Sequence, residues 1–217
     1  MYNRNIKRTT PERRHDSMKE IRSSILQIMD GKDIAIIGID GLGGAGKSTI
    51  SERLCAELES CHIHTILLHI DDFIHPKKVR YNSDYPAWQC YYDLQWRYDY
   101  FTEVIHSLKS SPEICHEIEL YDKDHDSYYT KNMTAELKTA VIVEGIFLQR
   151  KELQGLFDYM IYLDVPEDVR LHRVLSRDTY IGDAQQITEK YENRYFPAER
   201  HYFSEYHPDK LADYVIR

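Results

Sequence analysis

An α/β fold, with a mostly parallel five-stranded sheet between two layers of helices, is predicted by three features of this chain. Short apolar runs rich in β-branched residues, DIAIIGI (33–39), AVIVEG (140–145) and DYMIYLDV (158–165), read as strands buried on both faces. Runs with helical spacing separate them. A glycine-rich segment, GLGGAGKS (41–48), joins the first of these strands to a helix. Strands of that kind alternating with helices specify a parallel sheet covered on both sides. With 217 residues the chain is long enough to bury a sizeable core in one domain.

Residues 1–16, with Lys7, Arg8, Arg13 and Arg14, read as a flexible basic arm, and residues 17–217 as a single domain. Ser17 opens a capping box with Glu20. Met18, Ile21, Ile25, Ile28 and Met29 then share one helical face as far as Gly31. This helix could cover a sheet edge or mediate self-association, which leaves a homo-oligomer open. Beyond the glycine segment, Ile50, Leu54 and Leu58 mark a helix through about Ser60. A second strand, 63–70, ends on Asp71 and Asp72. Residues 74–92 read as loop or short helices, with Pro76 and Pro86. Leu94, Phe101, Val104, Ile105 and Leu108 predict the next helix, stopped by Ser110-Ser111-Pro112. A hairpin is expected over 117–131 around KDHDS. Pro166 suits the first turn of a helix running to Asp178. A long tyrosine-rich helix over 184–204 and a final strand, ADYVIR, close the chain.

Composition narrows the function. No apolar stretch approaches 18 residues, so a membrane span is not expected. The basic start has no apolar run behind it, so it does not read as a secretory signal. Thirty-six acidic residues against 28 basic ones give a net charge of −8, which argues against nucleic-acid binding through a broad basic face. Any polyanion must be held by a local device. Four cysteines (55, 61, 90, 115) without a C-x-x-C pair read as reduced thiols in a cytoplasmic protein. His62, His64, His69 and His75 are explained by the alternating faces of a strand rather than by a metal.

The local device is Gly41-Leu42-Gly43-Gly44-Ala45-Gly46-Lys47-Ser48, which satisfies G-x-x-x-x-G-K-[ST]. Only a glycine-rich turn folds tightly enough to aim several N–H groups at one phosphate tail. The following helix adds its positive N-terminus, and Thr49 continues it. Lys47 reaches the β and γ phosphates, and Ser48 is placed to hold Mg²⁺. No N-K-x-D guanine reader is present, and the chain is short for a motor ATPase; small-molecule phosphotransfer remains. Such a reaction needs a carboxylate at the acceptor. Asp71 and Asp72 end the second strand, where sheets of this type bind ligands. They could orient and deprotonate a hydroxyl and touch Mg²⁺ through water, or simply form a turn. Glu144, closing a buried strand beside the glycine loop, is the second Mg²⁺ candidate.

IDGLGGAGKST, DDF (71–73), VIVEGIFL (141–148) and RLHRVLSRD (170–178) resemble the uridine kinase branch of the nucleoside-kinase-like P-loop enzymes. Weaker similarity extends to Asn82-x-Asp84-x-Pro86 with Trp88, and to Tyr191 … Pro197-Ala198-Glu199 … Ala212-Asp213-Tyr214-Val215-Ile216. The resemblance implies a P-loop NTPase three-layer sandwich with a lid helix and a small substrate-side hairpin. It implies ATP and Mg²⁺ as cofactors and a ribonucleoside-like small molecule as acceptor. By position, it makes Asp71 the base for the acceptor hydroxyl, with Phe73 beside it, and Asp84 with Arg170 the holders of the ribose hydroxyls. Arg173 and Arg177 fall on or beside the lid near 173–184, where guanidinium groups can neutralise the transferring phosphoryl group. Read without the resemblance, the three arginines form a solvated helix face.

The base-reading segment departs from the family pattern. Tyr121 matches, but Asp126 stands where the family has His and Tyr128 where it has Arg; His125 substitutes only if the hairpin shifts by one residue. Ile74 replaces an expected aromatic residue. The run DDF-x-x-P, ending at Pro76, also resembles nicotinamide riboside kinases. Three readings therefore stand: a uridine kinase-like enzyme, a kinase for another riboside or small alcohol, and a nucleotide-binding regulatory protein without acceptor chemistry. The aromatic cluster Trp88, Tyr91, Tyr92, Trp96, Tyr98 and Tyr100 either stacks a base or roofs a cleft.

Overall fold

The computed structural model describes residues 11–217, with side chains from residue 17 onward. Five strands, β1 (Ile34–Gly41), β2 (His64–His69), β5 (Thr139–Gly145), β6 (Tyr159–Leu163) and β7 (Tyr214–Ile216), form a wholly parallel sheet in the order β2-β5-β1-β6-β7. β1 lies at its centre and is buried at every position, which is why its sequence is continuously apolar rather than alternating. The register sets Ile39 of β1 beside Glu144 of β5, and Glu144 beside His69 of β2, so three strands end level at one edge.

Helices cover both faces. α1 (Pro11–Asp30) and α2 (Lys47–Glu59) pack Met18, Ile21, Ile25, Leu54 and Leu58 on Ala35, Ile37, Ile39 and Ile142. α1 starts at Pro11, so the Ser17 capping box lies inside the helix rather than at its start; the expected arm falls outside the described residues over 1–10. α1 covers a sheet face, tied to α2 by Arg22–Glu57 at 2.7 Å and to β7 by the Tyr214 hydroxyl donating to Glu20 at 2.8 Å. On the other face, α5 (Tyr98–Ser110) and α8 (Phe196–Tyr206) pack Phe101, Ile105, Leu108 and Tyr202 on Ile36, Val141 and Val143. An antiparallel hairpin, β3 (Cys115–Asp122) with β4 (Ser127–Thr134), stands apart from the main sheet. Among the described residues, no helix is long and apolar enough to cross a membrane.

Two helices differ from expectation. The one expected from Leu94 begins instead at Tyr98, as α5, and Leu94 is the C-cap of a short preceding helix, α4 (Ala87–Asp93). The connecting residues are drawn into extended pairing: Trp96 bridges Ile74, and the Arg97 N–H donates to the Phe73 carbonyl at 2.8 Å. The tyrosine-rich helix is interrupted, as α7 (Ala184–Lys190), a π-helical turn (Tyr191–Tyr195) and α8. Pro197 has no N–H for the carbonyl of Asn193 and its ring crowds that carbonyl, so the preceding turn widens. α3 (Lys77–Arg80), α6 (Glu167–Arg177) and α9 (Pro208–Leu211) complete the fold.

Asp158, entering β6, accepts the Ile36 N–H at 2.8 Å and pairs with Lys32 and Lys109. Burial pushes its carboxyl up, but the Lys32 bond, the Ile36 N–H and Lys109 outweigh it and hold it below its ordinary value. A depressed carboxylate contributes stability above its unfolded value and loses it as pH falls through the folded one. Asp158→Asn is expected to cost about 1 kcal/mol at neutral pH, discounted for its exposed lysine partners. Urea melts should find the gap from wild type closing below about pH 4.

Candidate active site

β1 ends on Asp40 and Gly41, and the loop 42–46 turns back into α2. Gly44 and Gly46 adopt positive φ of 79° and 97°; a Cβ on Gly44 would sit 2.9 Å from the Arg170 carbonyl. Glycine is therefore required there by conformation and by space. The Lys47 ammonium donates to the Gly41 carbonyl at 2.8 Å, curled over the loop. Beneath it, Asp40 is fully buried and accepts the Gly41 N–H at 2.8 Å, the Tyr202 hydroxyl at 2.5 Å and the Gln149 amide at 3.1 Å. Burial pushes its carboxyl up against those bonds.

Level with this loop, Glu144 accepts from His69 Nδ1 at 2.6 Å and from Ser48 Oγ at 3.4 Å. Burial pushes the Glu144 carboxyl up, but His69, Lys47 and Ser48 together leave it below its ordinary value. The same bond raises His69, against the effect of its own burial. Asp71 lies on a 3₁₀ turn (Ile70–Asp72) that follows β2, with the Trp96 indole N–H donating to its Oδ1 at 3.3 Å. Asp71 is exposed and lines the same cleft as Gly43, Gly46, Lys47, Ser48 and Glu144, a space of about 790 Å³. Asp71 and the glycine loop therefore line one cleft.

Arg173 and Arg177 project into this cleft from α6. Arg173 donates to the Gly44 and Ala45 carbonyls, each at 3.1 Å. Arg177 pairs with Asp178 at 2.6 Å, and Asp178 also accepts the Tyr191 hydroxyl at 2.6 Å. Their neighbour Arg170 does not line this cleft. It is 2% exposed and binds Glu199 at 2.7 Å and the Gly43 carbonyl at 2.9 Å, while Glu199 accepts the Gly43 N–H at 2.8 Å. This buried pair clamps the glycine loop to α6 and α8, and correspondingly corrects the expected ribose contact.

Four other expected acceptor residues likewise do not line the cleft. Phe73 is fully buried, edge-on to Phe101 at 4.9 Å, because its ring fills the core under α5. Asp84 is exposed on the loop between α3 and α4 and does not line the cleft. His125 is turned to solvent, pairing with Asp122 at 2.7 Å. The Tyr121 hydroxyl is occupied: it accepts from Arg80 at 2.7 Å and donates to Asp126 at 2.5 Å. Of the aromatic cluster, Tyr91 alone lines the cleft among the described residues, while Tyr92, Trp96 and Tyr98 belong to the core.

The cleft has a further wall that residue patterns did not reveal. Arg80, Tyr81, Gln95, Lys190, Arg194 and Tyr195 line it, brought by α3, the α4–α5 connection, the end of α7 and the π turn. Only the conjunction of Pro197 with a tyrosine-rich helix hinted at an irregular turn there.

A glycine loop at a helix N-terminus, a lysine within it and carboxylates ending two neighbouring parallel strands define a P-loop kinase. Kinases of this class use ATP and Mg²⁺ in general. The chain belongs to the Phosphoribulokinase / Uridine kinase family, which matches residues 36–209. It is 31% identical over 153 residues to a uridine kinase of Staphylococcus aureus (strain JH9), covering 68% of this chain and 70% of that one. A uridine kinase of Staphylococcus haemolyticus is 29% identical over 153 residues, 66% and 68% of the two chains. A solved structure described as a possible uridine kinase from Bacillus stearothermophilus superposes with a TM-score of 0.77 at 29% identity, covering 94% of this chain and 98% of that one. D-glycerate 3-kinase from Cryptococcus neoformans shares the fold at 12% identity, with a TM-score of 0.60 and coverage of 83% and 86%.

Proposed function

We propose that the protein transfers the γ-phosphoryl group of ATP to a hydroxyl of a nucleoside-like small molecule. The observation that carries this reading is the shared cleft of Asp71, Lys47, Ser48 and Glu144. The acceptor oxygen attacks the γ-phosphorus, the bond to the β–γ bridging oxygen breaks, and ADP leaves with that bond's electron pair. Asp71 orients the hydroxyl and takes its proton, and Lys47 and Arg173 balance the developing negative charge. Gly41, Gly43, Gly44, Ala45 and Gly46 shape the cradle, and Lys47 would exchange its bond to the Gly41 carbonyl for phosphate oxygens.

The donor set fits Mg²⁺, because Ser48 and Glu144 offer hard oxygens 3.4 Å apart beside the cradle, with Asp71 across the cleft. Ser48 and Glu144 would hold the ion, which would supply neutralisation of phosphate charge. Arg177, on the edge of the cleft, is suited to close over the nucleotide with α6 and the segment up to α7, excluding water from the transfer.

An acceptor panel with coupled ADP detection tests the reading; acceptor-stimulated ADP release is expected, and its absence across uridine, cytidine, nicotinamide riboside and small polyols would overturn it. Lys47→Ala is expected to weaken ATP binding at least tenfold and to slow turnover, because a charge-assisted phosphate contact is lost. Unchanged ATP affinity by calorimetry would count against the cradle. A second reading, an acceptor other than a pyrimidine nucleoside, is favoured by the hairpin, where Tyr121 is satisfied by Arg80 and Asp126 and His125 is turned away.

A further inference from the structure

Among the described residues, seven Lys and Arg side chains line the cleft against four Asp and Glu, in a chain whose net charge is −8. Lys47, Arg173 and Arg177 serve the phosphate end. Arg80, Lys123, Lys190 and Arg194 remain. Arg80 reaches Asp126 through the Tyr121 hydroxyl, and Lys123 lies near Asp72. Lys190 and Arg194 have no such partner: among the described residues, no carboxylate comes within 4 Å of either.

Arg194 is the more telling of the two. It is 4% exposed, and a buried guanidinium without a counter-charge is costly. It donates to the Ala87 carbonyl at 3.0 Å, the Arg80 carbonyl at 3.0 Å and the Gln95 side-chain oxygen at 3.2 Å. Three of its five N–H groups are thereby used, and Nε is buried with no partner. Its plane sits over Tyr81 at 4.3 Å and near Tyr91 at 5.4 Å. Carbonyl dipoles and ring faces fix the position of the charge without neutralising it. Lys190 stands beside it on the π-turn side, 5.8 Å from the Tyr195 ring.

The position of Arg194 relative to the chemistry follows from the chain. Gln95 holds Arg194, and the next residue, Trp96, donates to Asp71. Tyr91 packs between them, 5.1 Å from Trp96 and 4.8 Å from Tyr195. The unneutralised charge is therefore on the side of the base.

We propose that the acceptor carries an anionic group, a carboxylate or a phosphate, in addition to the hydroxyl that is phosphorylated, and that Arg194 and Lys190 form the subsite for it. This rests on the phosphotransfer reading above and narrows it to acidic hydroxyl compounds. A guanidinium with free N–H groups and a nearby ammonium suit either anion.

The test uses matched acceptors: uridine with orotidine, nicotinamide riboside with nicotinate riboside, and glycerol with D-glycerate and glycerol 3-phosphate. Each is measured by coupled ADP release and by calorimetric titration into the ADP–Mg²⁺-loaded protein. In at least one set, the anionic member is expected to exceed its neutral counterpart at least tenfold in kcat/KM and in affinity, less so at high salt. The glycerate and glycerol 3-phosphate arms distinguish carboxylate from phosphate. Arg194→Gln and Lys190→Gln should each cut the anionic-to-neutral ratio at least fivefold; the less buried Lys190 keeps the test available if Arg194→Gln fails to fold. Neutral members equal to or better than their anionic partners throughout, or a ratio unmoved in both variants, would overturn the proposal. Preferential anion binding without ADP release would instead overturn the phosphotransfer reading and leave the anion subsite standing.

Discussion

Asp71→Asn is expected to lower acceptor-dependent phosphoryl transfer at least ~100-fold while ATP affinity changes by less than about twofold. The amide keeps the shape of the side chain and its ability to accept from the Trp96 indole. It cannot take a proton from an attacking hydroxyl. Asp71 makes no hydrogen bond to the glycine loop, so nucleotide binding should be spared. Coupled ADP release gives the rate, and calorimetry with ATP and Mg²⁺ gives the affinity. Near-normal turnover would remove the base assignment; lost ATP binding would recast Asp71 as part of the nucleotide site.

Arg170→Met is expected to destabilise the fold by about 3–5 kcal/mol, because it leaves the Glu199 carboxylate buried without a counter-charge. In a domain of this size that lowers Tm by roughly 10 °C. Burial already pushes the Glu199 carboxyl up, and Arg170 and the Gly43 N–H are what oppose it. The double change Arg170→Met with Glu199→Leu should recover part of the loss, since the stranded charge is gone although the Gly43 N–H is left unpaired. Thermal melts of the three variants check this. A fall of only a degree or two in the single variant would mean that Arg170 contributes little to holding the loop.

These two residues mark the boundary of what the chain reveals unfolded. Asp71 was legible because a carboxylate at the end of an apolar strand falls, in a parallel sheet, beside the turn that closes the next strand. Glu144 was legible for the same reason, and register alone puts it next to β1. Arg170 was assigned to the acceptor by its position in the family resemblance, and its helix face alone read as solvated. The partner that decides its role, Glu199, comes from a helix 29 positions later and two elements away. Phe73 shows the same limit from the other side: its neighbour Asp71 faces the cleft, but packing against Phe101 turns its ring into the core.

The order of strands and helices, the phosphate cradle and the two strand-end carboxylates were determined by sequence alone. Each depends on local periodicity or on glycine's access to positive φ, and both are written in contiguous residues. The tertiary structure decided which arginine clamps the loop and which enters the cleft, where the tyrosine-rich helix breaks, and which side chains wall the cleft. Those outcomes depend on charges and rings from distant segments meeting in low dielectric, where a partner a few ångströms away outweighs any preference of the chain nearby.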